Sequence, residues 1–211
     1  FYKNKLENSK KDISYLSGVK RYRVLEKLID SGLAIFGPRE WLFFQNVNIN
    51  FSNCYKDENV FSFMHNEKIY NRSNFSINIT HTQNITGMPY RVADIVRSDS
   101  LLITEYKSDF FNDSLKQKEF DFLKQYIVFE TENDVKSKIE YLKNNKQLFT
   151  ELKETQAEIG KLYSWDNKIK EIQEITKVKI FDQNKNNSNL IKEEKTLRIN
   201  HKNDYYEMFF I

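Results

Sequence analysis

A glycine, a proline, an arginine and an aspartate fall close together in Thr86-Gly87-Met88-Pro89-Tyr90-Arg91-Val92-Ala93-Asp94. Proline suits the first turn of a helix, because the N–H it lacks would be unpaired there anyway. Gly87 lets the backbone approach a ligand closely. The free N–H groups and positive dipole end of such a helix favour an anion, phosphate above all. Arg91 could add charge-assisted bonds to that phosphate, and Asp94, one turn further on, could accept bonds from sugar hydroxyls. The same residues also fit an ordinary helix start carrying a surface arginine and aspartate, since every helix begins with unpaired N–H groups.

The flanking segments must position these groups. Asn74 to Thr80 alternates, with Phe75, Ile77 and Ile79 opposed to Ser76, Asn78 and Thr80, which predicts a strand whose polar face lies at a sheet edge or along a cleft. His81-Thr82-Gln83-Asn84 then stands at its C-terminal end, where open α/β sheets bind ligands; this makes His81 and Gln83 candidates. Tyr90 to Ser98 reads as a helix, Leu101 to Thr104 as an apolar strand, and Glu105-Tyr106 as its end. Upstream, Ile13 to Leu16 predicts a strand, Ser17-Gly18 a turn and Val19 to Asp30 a helix stopped by Gly32. Leu33 to Phe36 completes a strand–helix–strand unit, the kind that builds parallel sheets. That first turn has one glycine, too few for a dinucleotide fingerprint, so Ser17, Gly18 and Arg21 form a weak phosphate motif or a plain turn.

Asn46 to Ser52 alternates as a half-exposed strand, Cys54 to Asn59 reads as a loop, and Val60 to Tyr70 as a short helix with His65. Asp109 to Lys124 includes a helix and Tyr126 to Phe129 a strand. Thr131 opens a capped helix bearing Val135, Ile139 and Leu142, and two amphipathic helices follow at Gln147 to Gly160 and Trp165 to Ile175. Alternating strands and helices predict an α/β fold, a Rossmann-like parallel sheet flanked by helices. The expected division is a leader or linker stub at 1–12, the domain at 13–177 and a C-terminal tail at 178–211, whose apolar end Tyr205 to Ile211 should pack on this or another domain.

Composition narrows the class. The chain has 211 residues, enough for one sizeable core, and 33 basic residues against 30 acidic ones, with the signs interspersed. That balance argues against a nucleic-acid binder, which concentrates its basic charge. One cysteine, Cys54, excludes an internal disulfide and a cysteine metal cluster. No apolar run approaches the ~18 residues that suggest a membrane span, and no signal peptide is visible; a cytoplasmic protein is expected.

Asn71-Arg72-Ser73, Asn78, Gly87-x-Pro89-x-Arg91-x-x-Asp94 and Leu101 to Tyr106 together resemble the C-terminal domain of the spore maturation protein CgeB-like glycosyltransferases. Ser17-Gly18 with Arg21, the strand before Trp41, and Gly160 followed by Tyr163-Ser164-Trp165 and Lys168 extend the likeness from about Ile13 to Thr176. The resemblance implies a bacterial enzyme of the GT-B type, in which two Rossmann-like domains face each other and the C-terminal one holds a nucleotide-diphosphate sugar as donor substrate. It implies no metal or other cofactor. It also implies a missing N-terminal acceptor domain, and places Ser17, Gly18, Arg21, Gly87 and Arg91 by the diphosphate, with His65 near the nucleotide. Many retaining enzymes of this type carry two glutamates separated by seven residues, the later for ribose and the earlier for sugar. Asp94 stands at the ribose position and Thr86 at the sugar position, so Glu105-Tyr106 is a possible substitute. The alternative is a Rossmann-like module that binds a nucleotide or a protein without catalysis.

Overall fold

The computed structural model describes residues 2–58, 63–112, 116–177 and 208–210. Helix α1 (Tyr2–Glu26) opens the chain and runs unbroken through the segments expected to be a leader, a strand and a turn. Ser17, Val24 and Leu25, with Leu28 just past the helix, are buried on one helical stripe that faces the core, and the segment Ile13 to Leu16, expected as a strand, is part of the same helix. Gly32 stops the next turn in the left-handed region, at φ 87°, as expected of a C-terminal glycine.

Strand β1 (Ala34–Phe36) follows, then a 3-10 segment (Arg39–Asn46), helix α2 (Ile49–Asn53) and strand β2 (Tyr55–Lys56). The alternation at Asn46 to Ser52 is therefore not a strand. Asn48 accepts a bond from the Asn50 N–H and starts a helix, Phe51 alone is buried, and Val47 and Ile49 face solvent. The stretch expected as a loop supplies β2 instead. Tyr22 stacks on Phe44 with ring centroids 4.5 Å apart, and Trp41 and Phe51 close the same cluster, seating α1 on the 3-10 segment.

Helix α3 (Phe63–Tyr70), strand β3 (Phe75–Asn78), helix α4 (Tyr90–Val96) and strand β4 (Leu101–Thr104) come next, close to expectation. The polar face of β3 lies neither at an edge nor on a cleft: Ser76, Asn78 and Thr80 are all buried. Their side chains find partners across the sheet, Ser76 in Ser100 at 2.6 Å and Asn78 in Thr104, whose hydroxyl accepts from Nδ2 at 2.9 Å, while Asn78 Oδ1 is left without a partner. After β4 come α5 (Ser108–Phe111) and α6 (Gln117–Ile127). The strand expected at Tyr126 to Phe129 is absent, because α6 continues to Ile127; only a single bridge joins Val128 to Thr104. Helices α7 (Glu132–Asn144), α8 (Lys146–Gly160) and α9 (Trp165–Thr176) complete the helical part. Thr131 caps α7 by accepting from the Asp134 N–H at 3.2 Å.

The fold is mixed α/β, with two parallel strand pairs, β1 with β2 and β3 with β4. A wholly parallel sheet is not what forms. The C-terminal strand β5 (Met208–Phe210) runs antiparallel between the pairs, with Phe209 opposite both Ile35 and Ile77, and gives the order β2-β1-β5-β3-β4. Residues 208–210 of the tail thus pair with this domain; 178–207 and 211 lie outside the described residues. No described helix is long and apolar enough to cross a membrane.

Candidate functional site

Strands β3 and β4 run in register, Asn78 opposite Thr104, so the residues just past them emerge side by side. Glu105 ties this end together. Its Oε2 accepts from the Thr80 backbone N–H at 2.9 Å and from the Thr80 hydroxyl, while its Oε1 pairs with Lys20 Nζ at 2.5 Å. Lys20 also donates to the Thr80 carbonyl at 3.3 Å. Ser17, a turn before Lys20 on α1, is buried and accepts from the Thr82 N–H at 3.1 Å; the two hydroxyls lie 2.8 Å apart. Lys107 is buried too, and its ammonium donates to the carbonyls of Asn84 and of Ile85, the second at 3.2 Å.

Lys20 and Lys107 therefore lie near one carboxylate, Glu105, and Arg21 joins Lys20 beside His81. Burial lowers the His81 pKa, and the neighbouring Arg21 and Lys20 lower it further, so this imidazole is neutral at neutral pH. Its Nδ1 is buried without a hydrogen-bond partner. The Lys107 pKa is also lowered, first by burial and further by Lys20, against the opposing pull of Glu105. A positive excess at the C-terminal ends of parallel strands is suited to an anion.

The expected constellation does not converge on one point. Ser17 and Arg21 reach the strand ends, but from the middle of a continuous helix, and Gly18 is no turn: a Cβ there would lie 4.0 Å from Phe44 Cζ. Gln83 sits exposed in the loop after β3. Gly87 adopts no left-handed φ; a Cβ at this position would approach Asn84 Oδ1 to 3.0 Å, so the glycine makes room for a side chain. Helix α4 has seven residues and no side-chain N-cap, a poor anchor for an anion.

Arg91 and Asp94 lie on the α3 side of α4. Burial pushes the Tyr70 phenol up; Arg91 pulls it down and Asp94 pushes it further up. Asp94 lines a crevice of about 20 Å³ with Asn66, Glu67, Tyr70, Arg97 and Ser98, room for a water or two. Burial raises its pKa, opposed by Arg97 and reinforced by Glu67. Because Arg97 and Ser98 lead into the start of β4, this crevice and the Glu105 network are separate. Tyr106 stacks on Phe111 at 5.6 Å, carries Lys124 Nζ 4.4 Å above its ring and donates to Asn112 at 3.3 Å. His65 lies 3.6 Å from Glu58. Cys54 is buried, which raises its thiol pKa and keeps it protonated.

Sequence reasoning missed Lys20, Thr80, Thr82 and Lys107. The signal for Lys20 was its position one turn beyond Ser17, visible only if that segment is helical. Among the described residues, no group of three or more His, Cys, Asp or Glu is placed to hold a metal ion. No family model, curated protein or solved structure matches the chain.

Proposed function

We propose that this chain is the donor-binding half of a GT-B glycosyltransferase, a Rossmann-like domain that holds a nucleotide-diphosphate sugar at the C-terminal ends of β3 and β4. The observation that carries the reading is that Lys20 and Lys107 lie near a single carboxylate, Glu105, with Arg21 and Lys20 together beside His81. In the reaction, sugar passes to an acceptor while Lys20 and Arg21 stabilise the charge that develops on the leaving diphosphate. Neutral His81 lies beside them and can accept from a hydroxyl through one ring nitrogen and donate to a phosphate oxygen through the other, its tautomer fixing which. Asp94 takes the ribose only if the ligand reaches over α4 toward Tyr70.

Transfer by this chain alone is not expected. The acceptor wall belongs to a partner domain, and orientation of two reactants accounts for ~7–11 kcal/mol of a barrier. A second reading, a Rossmann-like module that binds a nucleotide or protein without catalysis, is favoured by Glu105 itself, whose two oxygens are already engaged by Thr80 and Lys20. Calorimetry with UDP, GDP, ADP and CDP tests what both nucleotide readings share. Micromolar to millimolar binding, weakened at least tenfold in Lys20→Ala/Arg21→Ala, supports the site. Assaying a full-length parent with the matching nucleotide sugar then separates enzyme from module.

A further inference from the structure

The loop from Thr82 to Pro89 links β3 to α4 and carries the candidates Gln83 and Gly87, yet it buries little of its own. Ile85 is 82% exposed, Gln83 and Thr86 face solvent, and α4 starts without a side-chain cap. Its conformation must therefore be imposed from outside. The end of β4 supplies the ties. The Lys107 ammonium, on a residue only 7% exposed, donates to the adjacent carbonyls of Asn84 and Ile85, and the Asp109 N–H donates to the carbonyl of Thr86 at 3.2 Å. Consecutive carbonyls are thus gathered onto one short segment. A buried ammonium is costly unless its N–H groups are satisfied, so Lys107 and the loop carbonyls stabilise each other.

We infer that Lys107 is a positioning residue, whose buried ammonium staples the loop after β3 to the end of β4 and so shapes the wall of the anion site. The loop claim stands on hydrogen bonds alone; its consequence for ligand binding rests on the donor-site reading. Removing the charge while keeping the bulk should release the loop and leave the sheet intact, because β3 and β4 hold each other through their own ladder.

Hydrogen exchange by mass spectrometry on the intact chain tests this. In Lys107→Met, peptides covering residues 82–88 should exchange at least tenfold faster, with β3 and β4 unchanged; Lys107→Arg, which keeps charge and donors, should restore most of the protection. Unchanged loop exchange in Lys107→Met, or an equal rise throughout the sheet, would overturn the staple. A measurement on the unmodified protein covers the case in which the variants misfold. The Lys107 side-chain ¹⁵N should give a protected ammonium signal, with couplings across the hydrogen bonds to the Asn84 and Ile85 carbonyl carbons; a sharp, solvent-averaged lysine signal would refute it. UDP affinity separates the two claims. A loop that opens in a protein binding no nucleotide leaves the staple standing and sinks the donor reading.

Discussion

Gln156 stands in for a missing strand, and its replacement should cost as much as a core mutation. Strand β4 ends the sheet, so its outward backbone groups need partners other than a neighbouring strand. Gln156 on α8, 1% exposed, supplies two: its Oε1 accepts from the Leu102 N–H at 2.8 Å, and its Nε2 donates to the Ser100 carbonyl at 2.7 Å. The Phe129 N–H donates to the Thr104 carbonyl at 3.0 Å and covers the next position. Gln156→Leu fits the space but leaves one buried donor and one buried acceptor unpaired, at ~1–3 kcal/mol each. Part is offset by the added apolar burial, of order 1–2 kcal/mol, for a net loss of ~1–4 kcal/mol out of a total of ~5–15. Urea unfolding followed by circular dichroism reads this as a lower midpoint at unchanged slope. A loss under ~0.5 kcal/mol would mean that the edge of β4 does not depend on the glutamine.

Gly160→Ala should destabilise by more than its helix propensity would return, because a Cβ at this position would lie 2.4 Å from the Val96 carbonyl oxygen; a thermal melt showing a gain would contradict the close contact of α8 with α4. His81 gives a pH signature. Its folded pKa is lowered by burial and by Arg21 and Lys20, so the unfolded chain binds its proton first, and stability should fall as pH drops from ~6.5; His81→Gln should flatten that part of the unfolding profile. Arg91→Ala and Asp94→Asn should leave pyrophosphate binding unchanged, since both face Tyr70, Asp94 from within the crevice. A tenfold loss in either variant, by calorimetry, would place the diphosphate on α4 instead.

The elements with a strong period were legible before folding. Leu101 to Thr104 is an unbroken apolar run, and Val135, Ile139 and Leu142 mark a helix face that is in fact buried. Errors arose where one residue type serves two purposes. Gly18 looked like a turn, yet it brings α1 within contact of Phe44. The alternating Val47, Ile49 and Phe51 matched a strand by spacing alone, while Asn48 capped a helix through its own side chain. Ser76, Asn78 and Thr80 looked solvent-facing because their partners, Ser100, Thr104 and Glu105, lie far along the chain. The cationic grouping was hidden for the same reason. Lys20 approaches Glu105 and Lys107, and Arg21 approaches His81, only once α1 is laid across the ends of β3 and β4, and an interspersed charge pattern carries no trace of that.

Isothermal titration of the purified chain with UDP, GDP, ADP and CDP, each with inorganic pyrophosphate as the reference, tests the central claim most directly. The account predicts that at least one nucleotide diphosphate binds with a Kd between micromolar and millimolar, and that Lys20→Ala/Arg21→Ala weakens it at least tenfold while the melting temperature stays within a few degrees. Absence of heat for all four up to millimolar concentration, or binding indifferent to the loss of both cations, would contradict it.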